Sequence, residues 1–278
     1  MKLGVFTVML PDLTPEEAAT ELRAAGYGGV EWRVTTAPAA RRNEAPSFWG
    51  NNRCTLEPTP EDAARGARLA RDAGLELVGL TTYLQVGELD ATENALHLAK
   101  LAGAPHIRVG SGSPEEGYHA AFGRATAYLR EVERLARHYG VKALVETHHK
   151  TITPSASLAH RLVSPFNPEH VGVLYDPGNL VFEGFEDYRM GLELLGPHLA
   201  HVHLKNARLV RGENGVWRPE WSPLEDGAVD FHGLLGALRE VGYDGWLVTE
   251  DFSAARPSRE ALRHNLSFVR ALLGSVPA

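Results

Sequence analysis

Four apolar stretches in the second half of the sequence each run directly into side chains that bind metals. They are Ala143-Leu144-Val145-Glu146, Val173-Leu174-Tyr175-Asp176, Ala200-His201-Val202-His203 and Trp246-Leu247-Val248-Thr249-Glu250. Short strand-type runs that end in Glu, Asp, His and Glu suit a parallel sheet closed into a barrel. In such a sheet successive strands deliver side chains to one point at their carboxyl ends. Three carboxylates and one imidazole would then converge. This mainly oxygen donor set suits one hard or borderline divalent ion (Mn, Mg, Co or Zn) and lacks the thiolates of a closed structural zinc site.

Elements able to position these residues recur along the chain as a phrase of amphipathic helix, glycine and strand. Gly26-Tyr27-Gly28-Gly29-Val30-Glu31 is echoed by Gly242-Tyr243-Asp244-Gly245-Trp246-Leu247. Between them lie Ala73-Gly74-Leu75, Ala102-Gly103-Ala104 and Tyr139-Gly140-Val141. A glycine of this kind stops a helix in a left-handed residue and turns the chain into the next strand. Eight strand candidates begin near Lys2, Gly29, Glu76, His106, Lys142, Val171, Leu199 and Trp246. Eight helix candidates alternate with them, including Pro15 to Ala25, Pro60 to Ala73, Leu89 to Ala102, Ala120 to His138 and Ser258 to Leu273. Strict alternation predicts an α/β fold with a parallel sheet, and eight units predict a (β/α)8 TIM barrel occupying 1–278 as one domain.

Two connections exceed simple turns. Thr35 to Pro58 follows the second strand and carries Arg41, Arg42, Trp49, Asn51, Asn52 and Arg53. Asn206 to Val229 follows the seventh and carries Arg208, Arg211, Trp217 and Trp221. Both leave carboxyl ends of strands, where barrel sites are built, so they read either as walls of a substrate site or as surface insertions and subunit contacts. The second alternative leaves a homo-oligomer open.

Composition narrows the function classes. The chain has 278 residues, 44% of them hydrophobic and 23% charged, close to the ~250 residues typical of one such barrel. A net charge of −7 gives no broad basic footprint, which argues against nucleic acid as a partner. Cys54 is the only cysteine, so no disulfide forms within the chain. The opening Met1-Lys2-Leu3-Gly4-Val5-Phe6 is too short an apolar run for a secretory leader, and no run reaches the ~20 residues of a membrane span. The expectation is a cytoplasmic protein without membrane partners.

Several of these segments together resemble a known family. They are Glu146 with His148, Asp176-Pro177-Gly178-Asn179, His201-Val202-His203-Leu204-Lys205-Asn206, Gly227-Ala228-Val229-Asp230-Phe231 and the run from Gly242 to Glu250. As a set they are similar to the xylose isomerase-like barrel superfamily, and within it to the sugar phosphate isomerase/epimerase group. That group holds ketose 3-epimerases, hydroxypyruvate isomerases and inosose dehydratases, and the wider superfamily holds AP endonucleases. The resemblance implies one divalent metal on Glu146, Asp176, His203 and Glu250. It also implies a sugar or polyol-derived ketone as substrate, with proton transfer through an enediolate. Glu146 and Glu250, from strands separated by two others, would serve as bases on opposite faces of the substrate.

Each position also has a plainer role. Glu146 would pair with a neighbouring cation, Asp176 would cap its turn, and His201, on the same strand face as His203, would be a barrel histidine held by hydrogen bonds. His148, Lys205 at the rim, Arg108, Asn179 and Arg208 are candidate substrate contacts, with Glu31 a lesser one. Arg108 serves either as a ligand fork or as an ion-pair partner. Asn179 stands where ketose 3-epimerases carry a histidine. Against an AP endonuclease, the third and fourth strands end in Thr81-Thr82-Tyr83 and Val109-Gly110-Ser111-Gly112, without the extra histidines of a trinuclear zinc cluster. Dehydration of an inosose-like ketone and a sugar-binding barrel without turnover complete the alternatives.

Overall fold

The computed structural model describes residues 1–41 and 43–276; Arg42 of the first long connection lies outside them. In chain order the strands are β1 (Lys2–Phe6), β2 (Gly29–Val34), β3 (Thr55–Leu56), β4 (Glu76–Thr81), β5 (His106–Val109), β6 (Lys142–Glu146), β7 (Val171–Tyr175), β8 (Leu199–Leu204), β9 (Asn206–Arg211), β10 (Trp217–Ser222) and β11 (Trp246–Thr249). Parallel pairing runs β1, β2, β4, β5, β6, β7, β8, β11 and returns to β1, which bonds to both β2 and β11. The sheet is a closed eight-stranded barrel. All eight strands begin where the helix-glycine-strand phrase places them.

The helices are α1 (Pro15–Ala25), α2 (Pro60–Asp72), α3 (Leu89–Ala102), α4 (Tyr118–Tyr139), α5 (Ala156–Val163), α6 (Pro177–Glu183), α7 (Tyr188–Leu195), α8 (Phe231–Glu240) and α9 (Ser258–Ser275). Local chemistry sets their starts. Thr14 accepts from the Glu17 amide while Glu17 accepts from the Thr14 amide, a reciprocal cap on α1. Left-handed Gly26 (φ 101°) and Gly140 (φ 67°) end α1 and α4. Helix and strand pack as in other parallel barrels: β2 and β7 are buried along their whole length because helices cover one face and the barrel interior the other.

Two regions differ from the sequence expectation. Between β7 and β8 two helices replace one, because the chain crosses the Pro154 carbonyl at Gly184. A Cβ at Gly184 would lie 2.0 Å from that oxygen, and Asp187 then starts α7 by accepting from the Met190 amide. The connection from 206 to 229 is no irregular loop but the antiparallel hairpin β9–β10. Trp217-Arg218-Pro219-Glu220-Trp221 alternates with period two, but Leu209 and Val210 are adjacent and Pro219 interrupts the second strand, so the pairing is not evident in the sequence.

The barrel interior carries an unusual buried imidazole. His106 on β5 lies 4.8 Å, ring to ring, from His201, and its Nε2 has no hydrogen-bond partner among the described residues. Room for it exists because β4 has Gly79 alongside: a Cβ there would meet His106 Nε2 at 2.2 Å. Burial and the nearby His201 push its pKa from 6.5 down to about 3. Between those values the unfolded chain takes up a proton that the fold refuses. Stability is therefore complete above pH 6.5 and falls as the pH drops towards 3, by up to about 1.4 kcal/mol per pH unit from this one group. Urea unfolding at pH 7 and pH 5 checks this. The loss of stability between the two pH values will be smaller in His106→Gln than in the native protein by about 1–2 kcal/mol.

Candidate metal centre and catalytic cavity

The predicted quartet is brought together at the carboxyl end of the barrel. Glu146 ends β6, Asp176 follows β7, His203 lies near the end of β8 and Glu250 follows β11. One ligand atom from each lies within 4.8 Å of every other, and all four residues are buried. Asp176 Oδ2 and Glu250 Oε2 are buried against the Lys205 ammonium, and His203 Nδ1 lies 3.5 Å from Glu250 Oε2. Buried carboxylate and imidazole atoms that face one another from separate strands fit a coordination site for a divalent ion.

Asp176 performs both of the roles its turn allows. Oδ1 accepts from the Asn179 amide and caps α6, where Pro177 occupies the first turn, while Oδ2 is left for the centre. Glycine at 178 is required by the same turn, since a Cβ there would lie 2.7 Å from the backbone carbonyl of Lys205. Burial, the largest influence, raises the Asp176 carboxyl to about 6.

His203 is oriented from behind. Its Nε2 lies 3.3 Å from both carboxylate oxygens of Glu31, which also accepts from His201 Nε2 at 2.7 Å and from the Thr81 hydroxyl. Glu31 is fully buried on β2 and holds His203 with Nδ1 towards the ligand cluster, the arrangement that fixes a metal-binding imidazole. His201 is thus the hydrogen-bonded barrel histidine expected of it. Glu31, a lesser candidate for substrate contact, instead orients a ligand. Its signal in the sequence is period two along β2, which turns Glu31 inward.

The remaining candidates divide. Arg108 pairs with Glu146 Oε2 at 2.6 Å, the ion-pair alternative, and the Tyr83 ring lies 4.7 Å from its guanidinium carbon and 5.1 Å from that of Arg33. Burial, the largest influence, works against the Glu146 carboxylate, but Arg108, His148, Lys205 and His203 together outweigh it and hold the carboxyl well below its ordinary range. Asn179 is fully buried and outside the cavity lining: Nδ2 donates to Glu146 Oε1 and the Thr147 carbonyl, and Oδ1 receives from Lys205 and His149. All four hydrogen bonds of the amide are used within the protein, so it braces Glu146 rather than a hydroxyl. Arg208 also departs from expectation, because on the exposed hairpin its guanidinium turns to Asp226 at 2.9 Å.

Lys205 is not at the rim. It is 2% exposed, with Nζ 2.7 Å from Asp176 Oδ2, in ion contact with Glu250 Oε2 and 5.0 Å from the Trp221 ring. Burial disfavours its charge, yet Asp176, Glu250 and Glu146 outweigh that and keep the ammonium well above its ordinary value.

Above the cluster opens a cavity of about 460 Å³ reached by Arg108, Glu146, His148, Lys205 and Glu250. Its roof is aromatic. Trp49 and Trp221 lie 4.9 and 5.8 Å from Phe252, Phe48 lies 5.1 Å from it, and Trp221 also packs on Phe182. Both long connections therefore contribute walls, the first through Trp49 and the second through Trp221, with Phe48 packed on Phe252. Trp217, 62% exposed, points away from the cavity lining. An apolar roof over a polar floor suits a sugar-like molecule, whose C–H faces pack on rings while its oxygens turn to the floor.

The family model of xylose isomerase-like TIM barrels matches residues 19–272. The chain belongs to that family. Among curated relatives, an inosose dehydratase of Lacticaseibacillus casei is 24% identical over 274 residues, covering 91% of this chain and 88% of the relative. One from Geobacillus thermodenitrificans is 33% identical over 152 residues, 49% of each chain. Among solved structures, the IOLI protein with a bound zinc atom superposes with a TM-score of 0.77 at 16% identity, with full coverage of both chains. The probable 3-DHS dehydratase AsbF of Bacillus anthracis gives 0.73 at 18%, over 97% and 99%. The D-allulose 3-epimerase of Methylomonas sp. bound to D-allulose gives 0.72 at 14%, over 98% and 96%. At these identities the structural likeness establishes the xylose isomerase-like barrel fold. Among the described residues no helix is long and apolar enough to cross a membrane.

The Glu31 bracing of His203 is testable apart from any reaction. Glu31→Gln preserves shape but weakens the acceptor of the His203 Nε2–H, and its affinity for Mn or Zn will fall about 10–100-fold, measured by titration calorimetry. An unchanged affinity would show that Glu31 plays no part in ligand orientation.

Proposed function

We propose that the protein is a divalent-metal-dependent enzyme that removes the proton next to the carbonyl of a polyhydroxy ketone and expels the hydroxyl β to that carbonyl, the dehydration of an inosose-like ketone. The observation that carries this reading is the asymmetry of the cavity floor. Glu146 has one carboxylate oxygen on Arg108 and the other on Asn179. It is thereby committed to structure and coordination, which weakens its expected part as one of a matched pair of bases.

Proton transfer then falls to His148 and Lys205. His148 Nδ1 lies 2.7 Å from the His149 carbonyl, an acceptor only, so Nδ1 is a donor and Nε2 is the nitrogen left to take a proton. As a cavity residue, His148 accepts the α-proton. Lys205, a donor only, gives a proton to the departing hydroxyl. The C–H bond breaks, its electron pair forms the C=C bond, the C–O bond breaks and water leaves. Glu146, Asp176, His203 and Glu250 would hold a divalent ion, which when bound would supply polarisation of the carbonyl and stabilisation of the negative charge that develops there. The aromatic roof excludes water from these groups.

The names of the curated relatives support the same reaction. Epimerisation is the second reading and is supported by Glu250, which lines the cavity from β11 while Glu146 lines it from β6, with β7 and β8 between them. Product mass in heavy water separates the two. The Mn- or Co-loaded protein with an inosose will give a product lighter by one water, and His148→Gln will lower kcat at least about 100-fold with metal content unchanged. Solvent deuterium entering a product of unchanged composition would favour epimerisation. Neither water loss nor deuterium entry across a panel of inososes and ketoses would overturn both readings.

A further inference from the structure

We propose that Lys205 is a built-in counter-ion of the metal centre: its ammonium stands against the carboxylates until an ion binds, and metal uptake drives it into the cavity beneath Trp221 and Phe252. This rests on the metal centre proposed above and adds to it a coupling between loading the ion and arming the proton donor.

The contacts coincide with the ligand atoms. Lys205 Nζ lies 2.7 Å from Asp176 Oδ2 and touches Glu250 Oε2. Both oxygens belong to the ligand cluster, and both otherwise lack a hydrogen bond among the described residues. A divalent ion binds carboxylate oxygens at roughly 2.0–2.2 Å, so ion and ammonium on the same two oxygens would stand no more than about 5 Å apart in a buried site. Like charges so close and so poorly screened repel strongly. The ion and the ammonium therefore compete.

Movement is confined to the side chain. The Lys205 backbone is wedged against Gly178, where even a Cβ would approach to 2.7 Å. Four side-chain torsions remain, and they have somewhere to go. Nζ already lies 5.0 Å from the Trp221 ring and 5.1 Å from the Phe252 ring, both of which line the cavity and offer their faces to a cation. In the metal-free protein the same ammonium stands against Asp176 and Glu250, two buried carboxylates that no other lysine contacts among the described residues.

Two measurements on the whole chain test this. Calorimetry with Mn is expected to show Lys205→Met binding at least about tenfold more tightly than the native protein. Acetylation of native protein, read by peptide mass spectrometry, tests the competition on the native lysine: the rate at Lys205 is expected to rise at least about fivefold when Mn is added, because a side chain turned into the cavity is within reach of the reagent. Equal or weaker binding by Lys205→Met, or a Lys205 no more reactive with Mn than without it, overturns the proposal and leaves the metal centre standing. No Mn binding by either protein overturns both. If Lys205→Met does not fold, the acetylation of native protein decides alone.

Discussion

Three carboxylates cannot be buried at one point without positive charge among them. That constraint organises the carboxyl end of this barrel. Glu146 has Arg108, Asp176 and Glu250 share Lys205, and Glu31, buried deeper, is held by hydrogen bonds from His201 and His203. The pairs are not interchangeable. Arg108 and Asn179 occupy both oxygens of Glu146, while Lys205 meets its two partners by charge rather than by directed hydrogen bonds.

The barrel makes this concentration of charge possible. Parallel strands end at one rim, and a side chain at the last position of each strand needs no further backbone to reach the axis. Below the rim, Glu31 and His201 prolong the polar column into the barrel, and Gly79 clears room for His106. Above it, Trp49 and Trp221, from connections too long to be turns, and Phe252, which follows β11, line the cavity. Preorganised charge beneath an apolar cover is what acid–base chemistry on a neutral polyol requires.

The fold is legible in the sequence because helix, stop glycine and strand recur with little variation, which places all eight barrel strands at their first residues. The quartet is legible because an apolar run that ends in a lone ligand residue serves, in a barrel, chiefly to carry that residue to the shared rim. What escapes depends on contacts between elements. Nothing local to Lys205 says that Asp176 and Glu250 will enclose it, so it reads as a rim residue. Asn179 reads as a substrate contact because its own turn does not reveal that Glu146, Thr147, His149 and Lys205 use its whole amide. Arg208 lies on a hairpin whose pairing is not evident in the sequence, and its orientation towards Asp226 follows from that hairpin. Glu31 is visible as an inward residue of β2, but its task emerges only when β8 brings His203 against it.

The central claim is that Glu146, Asp176, His203 and Glu250 form one metal centre. Crystals grown with Mn and measured at a wavelength where Mn scatters anomalously test it most directly. One strong anomalous peak at about 2.0–2.3 Å from an oxygen of each carboxylate and from His203 Nδ1 is the predicted result. A fully occupied peak on Glu31 and His201 instead, or no peak at the quartet at millimolar Mn, would contradict that claim.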